Sequence, residues 1–290
     1  MNKLAKTFLF YSQRMIKSYK LRQFITRVEG KIIGKTKIEG TSFLVPANNE
    51  KTHLDELINN GYSEFEEKIP EESIDKIISE TSDFKLFDPF NTAFGEFKKE
   101  DVNVKTHVAN FKRSDLVTCP EILKIANDPG ILRIVQEFLG AKPTISNINM
   151  WWSLSGKEKA KDAQLFHRDV DDIKFCKLFI YLTDVGPNDG PHTYVKGSSN
   201  SNRLTIIRRY EDKEVTSVFG EENVMFFTRP KGSYFLVDTY GFHKGTLPMD
   251  NDRLLLQVQY SINPIGIENY APIENSHNYD KYTNRLILKK

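Results

Sequence analysis

The stretch Gln164–Val185, QLFHRDVDDIKFCKLFIYLTDV, opens polar and closes on a run of aromatic and apolar residues. That run, bounded by polar residues, reads as a buried strand. Ahead of it His167 and Asp169 stand two residues apart. In an extended chain residues i and i+2 point the same way, with Cα atoms roughly 7 Å apart. The imidazole and the carboxylate can therefore converge on one ion while Arg168 points elsewhere. One histidine and one carboxylate do not complete a facial metal site, which needs a second histidine and three open positions. Taken alone, the pair reads equally as a polar turn before a strand.

Outward from this stretch the chain has two textures. Before it, THLDELINNGYSEF carries Leu54, Leu57 and Ile58 on one face and stops at Asn59-Asn60-Gly61, a short helix. IPEESIDKIISE is a second helix, with Pro70 at its start, acids in its first turn and Ile74, Ile77 and Ile78 as the apolar stripe. PEILKIANDPGILRIVQEFLG is a third, broken at Asp128-Pro129-Gly130 and closed by Gly140. From Thr144 the chain turns to short aromatic or β-branched runs: TISNINMWWSL, IKFCKLFIYLTDV, HTYVKG, RLTIIRR, NVMFFTR, SYFLVDT and RLLLQVQYSI. Helices followed by many short strands predict an α+β fold with a jelly-roll core. The expected organisation is a basic arm over 1–50, a helical layer over 51–143, a jelly roll over 144–265 and a tail over 266–290.

Hydrophobic residues make up 39% of the 290, enough for a sizeable core, and 20 Phe with 12 Tyr suit a β-rich pocket. Cys119 and Cys176 are too few for a disulfide scaffold and form no CxxC zinc motif, so a reducing, cytoplasmic setting is expected. No run of about 18 apolar residues suggests a membrane span. The net charge of +2 hides an asymmetry. Residues 1–37 hold Lys3, Lys6, Arg14, Lys17, Lys20, Arg22, Arg27, Lys31, Lys35 and Lys37 against Glu29 alone. With Leu4, Phe8, Tyr11, Met15, Tyr19 and Ile25 at roughly helical spacing, the arm reads as an amphipathic helix. It suits an anionic partner or membrane surface, a targeting segment, or a solvated helix packed on the domain. Nothing resembles a nucleic-acid motif with stacking aromatics.

The third ligand candidate is His243, which follows the strand SYFLVD and the turn TYGF. A metal ligand at a strand end is what the mouth of a jelly roll would supply. Ten residues on, Arg253 opens the strand RLLLQVQYS with a planar fork suited to a carboxylate.

In order and spacing, FHRDVDDIKFCKLFIYLTDV, NDGPHTYVKGSS, GSYFLVDTYGFHKG and DRLLLQVQYS resemble successive motifs of the phytanoyl-CoA dioxygenase family, and LDELINNGY and IPEESIDKII resemble its upstream helices. The resemblance spans roughly residues 52–262. That family consists of Fe(II)- and 2-oxoglutarate-dependent oxygenases on a double-stranded β-helix, a cupin-like jelly roll. It implies that His167, Asp169 and His243 bind Fe(II), that Arg253 pairs with the far carboxylate of 2-oxoglutarate, and that O₂ is the other cosubstrate. It further implies hydroxylation of an unactivated C–H bond of a small organic, lipid-like or sugar-containing substrate, with release of succinate and CO₂. Related halogenases replace the aspartate with a small residue, and Asp169 speaks against halogenation. Met150 and Phe179 match positions beside the cosubstrate, and Trp152, Lys177, Tyr181 and His192 are candidates for the substrate pocket. Phe166, Phe179, Phe227 and Phe242 are expected as apolar walls. Two departures stand out: Gly245 lies where the family often has a hydroxyl residue, and Gly197–Ser199 reads GSS where GSH is commoner. A cupin-type lyase or isomerase would keep the metal but have no use for Arg253, and a non-catalytic binding protein would usually have lost a ligand.

Overall fold

The computed structural model describes residues 3–289. Of the basic arm, residues 1 and 2 and the side chains of residues 3–6 and 9 lie outside the described residues, as does Lys290 of the tail. The arm forms two helices, α1 (Lys3–Met15) and α2 (Tyr19–Ile33). Helices α3 (Glu50–Asn60) and α4 (Glu71–Thr81) follow, the first closed by Gly61 in the left-handed conformation and the second burying Ile74 and Ile77. After the single turn α5 (Arg113–Leu116), the expected break is present between α6 (Pro120–Ala126) and α7 (Pro129–Leu139). Asp128 makes that break: one carboxylate oxygen accepts from the backbone N–H of Gly130 at 2.9 Å and of Ile131 at 3.0 Å, capping α7. The other accepts from the N–H of Phe43 at 3.0 Å, which ties the end of the arm to the helical layer.

The strands are β1 (Tyr62–Glu64), β2 (Leu86–Phe87), β3 (Glu96–Phe97), β4 (Val108–Phe111), β5 (Thr144–Ser153), β6 (Phe175–Tyr181), β7 (His192–Val195), β8 (Val224–Phe227), β9 (Tyr234–Val237), β10 (His243–Gly245) and β11 (Arg253–Ser261). They build an eight-stranded sheet, ordered β1-β9-β6-β11-β5-β4-β2-β3, and a three-stranded sheet, β10-β7-β8. Every pairing within these two sheets is antiparallel. The architecture is the expected α+β jelly roll. The stretch 51–143 is more than a helical layer, because β1 to β4 extend both edges of the large sheet. These strands run two to four residues, too short for an alternating pattern to declare itself. RLTIIRR carries no strand: Leu204 has a positive φ and Ile206 and Ile207 are exposed. The tail packs down, with Ile287 in the main core and Asn284 bonded to Asn127.

Two cores lie on either side of the large sheet. Its outer face, with Ile148, Leu178, Leu236, Leu256 and Val258, packs on the helices. Its inner face meets the small sheet through Phe179, Tyr181, Tyr194, Phe227, Phe235 and Leu255. Tyr194 Oη donates to the carbonyl of Asp238 at 3.1 Å, and a Cβ at either Gly61 or Gly241 would overlap that hydroxyl. His53 lies on the buried face of α3, its Nδ1 2.8 Å from Ser63 Oγ. Cys176 is a buried core residue, as its strand position suggests. Among the described residues no helix is long and apolar enough to cross a membrane.

Removing the Asp128 carboxylate strips α7 of its cap and leaves buried donors unpaired. Asp128→Ala should lower unfolding stability by about 2–3 kcal/mol in urea titration; a change below about 0.5 kcal/mol would contradict the role assigned to this cap.

Candidate metal centre

His167 and His243 face each other across a two-residue bridge that joins the segment before β6 to β10. The His167 N–H donates to the His243 carbonyl at 3.0 Å, and the His243 N–H returns the bond at 3.1 Å. Asp169 is held by its own N–H on the Thr239 carbonyl at 2.9 Å. The three side chains converge, with one ligand atom from each within 4.8 Å of the others. His243 Nε2 lies 3.3 Å and His167 Nε2 lies 3.6 Å from the Asp169 carboxylate. Arg168 turns away, as strand parity requires, and donates to the carbonyls of Ser198, Tyr240 and Arg203.

Both imidazoles are prepared as ligands. His167 Nδ1 lies 2.9 Å from the Leu165 carbonyl and His243 Nδ1 lies 3.0 Å from the Gly241 carbonyl. A carbonyl only accepts, so each Nδ1 carries the proton and each Nε2 presents its lone pair to the cluster. Burial pushes the His167 pKa down to about 3, so its ring is neutral at physiological pH. Burial alone would raise the Asp169 pKa, but the Lys177 ammonium beside it holds it well below the usual range. Lys177 Nζ sits 2.7 Å from Asp169 and 3.5 Å from Asp171. Two imidazoles that turn Nε2 inward and one ionised carboxylate on one side of an open cavity fit a divalent first-row metal.

That cavity, about 300 Å³, also contains Arg253, Phe179, Lys177 and His192. Arg253 is buried; its guanidinium donates to Ser153 Oγ at 3.0 Å and to the Gly190 carbonyl, and its Nε has no partner among the described residues. Gly245 is explained by this group, since a Cβ there would lie 3.1 Å from Arg253 Nη2. Ser153, directly across from Arg253 in the β5–β11 register, supplies a hydroxyl in its place.

Three expected pocket residues fall elsewhere. Met150 and Trp152 belong to the outer face of β5: Met150 is fully buried in the helical core, and Trp152 packs on that core under the Lys99 ammonium. The inward positions are Asn149, Trp151 and Ser153, which line the cavity. Tyr181 shares a face with Lys177 and Phe179 but lies past the cavity; its hydroxyl donates to the Phe227 carbonyl and accepts from the His192 N–H, each at 2.9 Å. Of the expected aromatic walls only Phe179 is in place, because Phe227 fills the inter-sheet core and Phe166 and Phe242 form a separate cluster with Tyr210. Unforeseen wall residues are Asn110, Gln164 and Gln257, and Arg209 stands among them. Buried Asn110 Oδ1, Gln164 Nε2 and His192 Nε2 lack hydrogen-bond partners among the described residues.

No family model matches the chain, and no curated protein matches it. Solved structures do. EctD from S. alaskensis with bound Fe matches with a TM-score of 0.55 at 13% identity, over 89% of this chain and 91% of that one. The carbocyclase SnoK of nogalamycin biosynthesis, described as non-heme and alpha-ketoglutarate dependent, matches at 0.53 and 16%, over 78% and 86%. HygX from Streptomyces hygroscopicus, with nickel, 2-oxoglutarate and hygromycin B bound, matches at 0.52 and 16%, over 82% and 96%. The fold is theirs. At such identities the likeness covers the fold alone, and the chemistry of this chain rests on its own side chains.

The loop leaving the centre carries a second buried acid. Burial raises the Asp172 pKa to about 7, with the neighbouring charge of Glu29 adding to the rise and the N–H groups of Asn263 and Ile173 opposing it. The folded chain thus keeps a proton that the unfolded chain releases near pH 4. This group stabilises the fold fully below about pH 4 and loses its contribution as pH rises towards 7. Relative to the wild type, Asp172→Asn should gain thermal stability across that interval, and a constant difference in Tm would refute it.

Proposed function

We propose that this chain is an Fe(II)- and 2-oxoglutarate-dependent dioxygenase of the phytanoyl-CoA dioxygenase type that hydroxylates an unactivated C–H bond of a polar small molecule. The observation that carries the reading is the convergence of two tautomer-fixed Nε2 atoms and the Asp169 carboxylate in one cavity with a buried arginine. With Fe(II), 2-oxoglutarate and O₂ bound, such a centre oxidises a substrate C–H bond while the keto acid becomes succinate and CO₂. His167, Asp169 and His243 would hold the iron. Lys177 keeps the Asp169 carboxylate ionised and in place. Arg253 offers a fixed charged fork to the distal carboxylate of the keto acid, and its use of Ser153 and Gly190 as partners sets the direction of that fork. Phe179 and Trp151 supply apolar wall.

The substrate side of the cavity is polar. Asn110 and Gln164 present an unpaired acceptor and an unpaired donor, and Arg209 stands among the wall residues with no hydrogen-bond or ion-pair partner for its guanidinium among the described residues. These groups favour a hydrogen-bonding substrate with an anionic substituent over a plain hydrocarbon chain. The hygromycin B held by HygX is consistent with a hydrophilic ligand on this fold.

Anaerobic addition of Fe(II) and then 2-oxoglutarate should produce the weak visible charge-transfer band of a chelated keto acid. Asp169→Ala should lose the metal, and Arg253→Ala should weaken 2-oxoglutarate binding on the order of 100-fold. Iron binding without the band would transfer the protein to the cupin-type lyases and isomerases. For the substrate class, succinate release should be stimulated by hydroxylated, acid-bearing small molecules. Arg209→Gln should raise their KM about tenfold while leaving substrate-free turnover intact. Equal stimulation by neutral apolar compounds would defeat the assignment of a polar substrate.

A further inference from the structure

Helix α2 is mounted inside out. Its buried residues are Arg22, Thr26 and Gly30, one polar and small-residue face at a spacing of four. Arg22 donates to the carbonyls of Asp172 at 2.9 Å and Ile173 at 2.6 Å and lies over the Tyr240 ring at 3.9 Å, so the helix is firmly docked by that face. A side chain at Gly30 would collide with the Gly140 carbonyl. The opposite face carries Leu21, Phe24, Val28 and Ile32, with Phe24 62% and Ile32 78% exposed. Helix α1 adds Phe8, Tyr11 and Met15 at the same helical spacing, Met15 being 75% exposed. A helix that only covers a soluble core has the reverse arrangement.

The charges on this surface have one sign. Lys20, Arg27 and Lys31 form the row beside the apolar stripe, Lys17 lies in the link between the two helices, and all four are exposed. None of the four has an ion-pair partner among the described residues. Glu29 is turned away, its Oε1 accepting from Asn263 at 3.0 Å.

We propose that the outward face of α1 and α2 docks on an anionic lipid bilayer. The apolar stripe would sink to the level of the acyl chains, and the lysine and arginine row would meet the phosphate and carboxylate headgroups at its border. The fifteen residues of α2 give a contact about 22 Å long. A second copy of the chain is a poor occupant: a two-fold interface would set the same cations against one another with no acid on the face to answer them. This proposal is independent of the chemistry assigned to the cavity.

The test uses the full chain and sedimentation with phosphatidylcholine vesicles, with and without phosphatidylserine. Binding should require phosphatidylserine and weaken with added salt. Neutralising Lys20, Arg27 and Lys31 to glutamine should weaken partitioning about fivefold for each residue replaced. Phe24→Ser with Ile32→Ser should weaken it as well, and a thermal melt equal to that of the wild type would show that these exposed changes leave the fold intact. Failure to bind phosphatidylserine vesicles would overturn the proposal, as would equal binding to both kinds of vesicle. It would also fall if lipid-free chain sedimented as a dimer that Phe24→Ser disperses, since a second copy would then cover the face.

Discussion

Strand β11 lies in the middle of the large sheet with all nine of its residues buried, bonded on one edge to β5 and on the other to β6. A strand covered on both faces must divide its side chains by parity. Leu254, Leu256 and Val258 go to the helices, whereas Arg253, Leu255 and Gln257 enter the cavity. The register carries this division to both neighbours, placing Leu256 beside Met150 and Ile180, and Gln257 beside Asn149 and Phe179. A one-residue slip would send the guanidinium into the helical core and a leucine towards the His167–Asp169–His243 cluster. Core and site are therefore two faces of one choice of register.

Within that frame the centre is preorganised by short local contacts. Each histidine gives its Nδ1 proton to a carbonyl two residues back, so its tautomer is set by its own segment. Lys177 then acts on Asp169 from the first inward position of β6 that faces the centre. A buried ion pair is seldom a net source of stability. Its effect here is to keep a half-buried carboxylate ionised beside the two imidazoles, as a metal ligand must be.

His167, Asp169, His243 and Arg253 were legible because residue type, order and spacing all bear on them. Helix α7 and its break were legible because Asp, Pro and Gly act locally. Parity was not. In Met150-Trp151-Trp152 both faces are apolar, and a strand buried on both sides shows no alternation from which to choose, so Met150 and Trp152 look as suitable for the pocket as Trp151. The polar walls Asn110 and Gln164 come from a four-residue strand and a single 3-10 turn, neither of which has a periodic signature. For α2 the pattern reveals an amphipathic helix but not which face turns inward. That is decided by the carbonyls of Asp172 and Ile173, which lie about 150 residues away in the chain.

The Tyr194 hydroxyl occupies space that glycine leaves open at two distant points, Gly61 at the end of α3 and Gly241 just ahead of β10. The Gly241 carbonyl is also the group that fixes the tautomer of His243. A larger residue at either glycine cannot be accommodated by a rotamer change of its own; the tyrosine ring would have to shrink or leave. In evolutionary terms the three positions form one character, so related chains should retain the glycines with the tyrosine or replace them together.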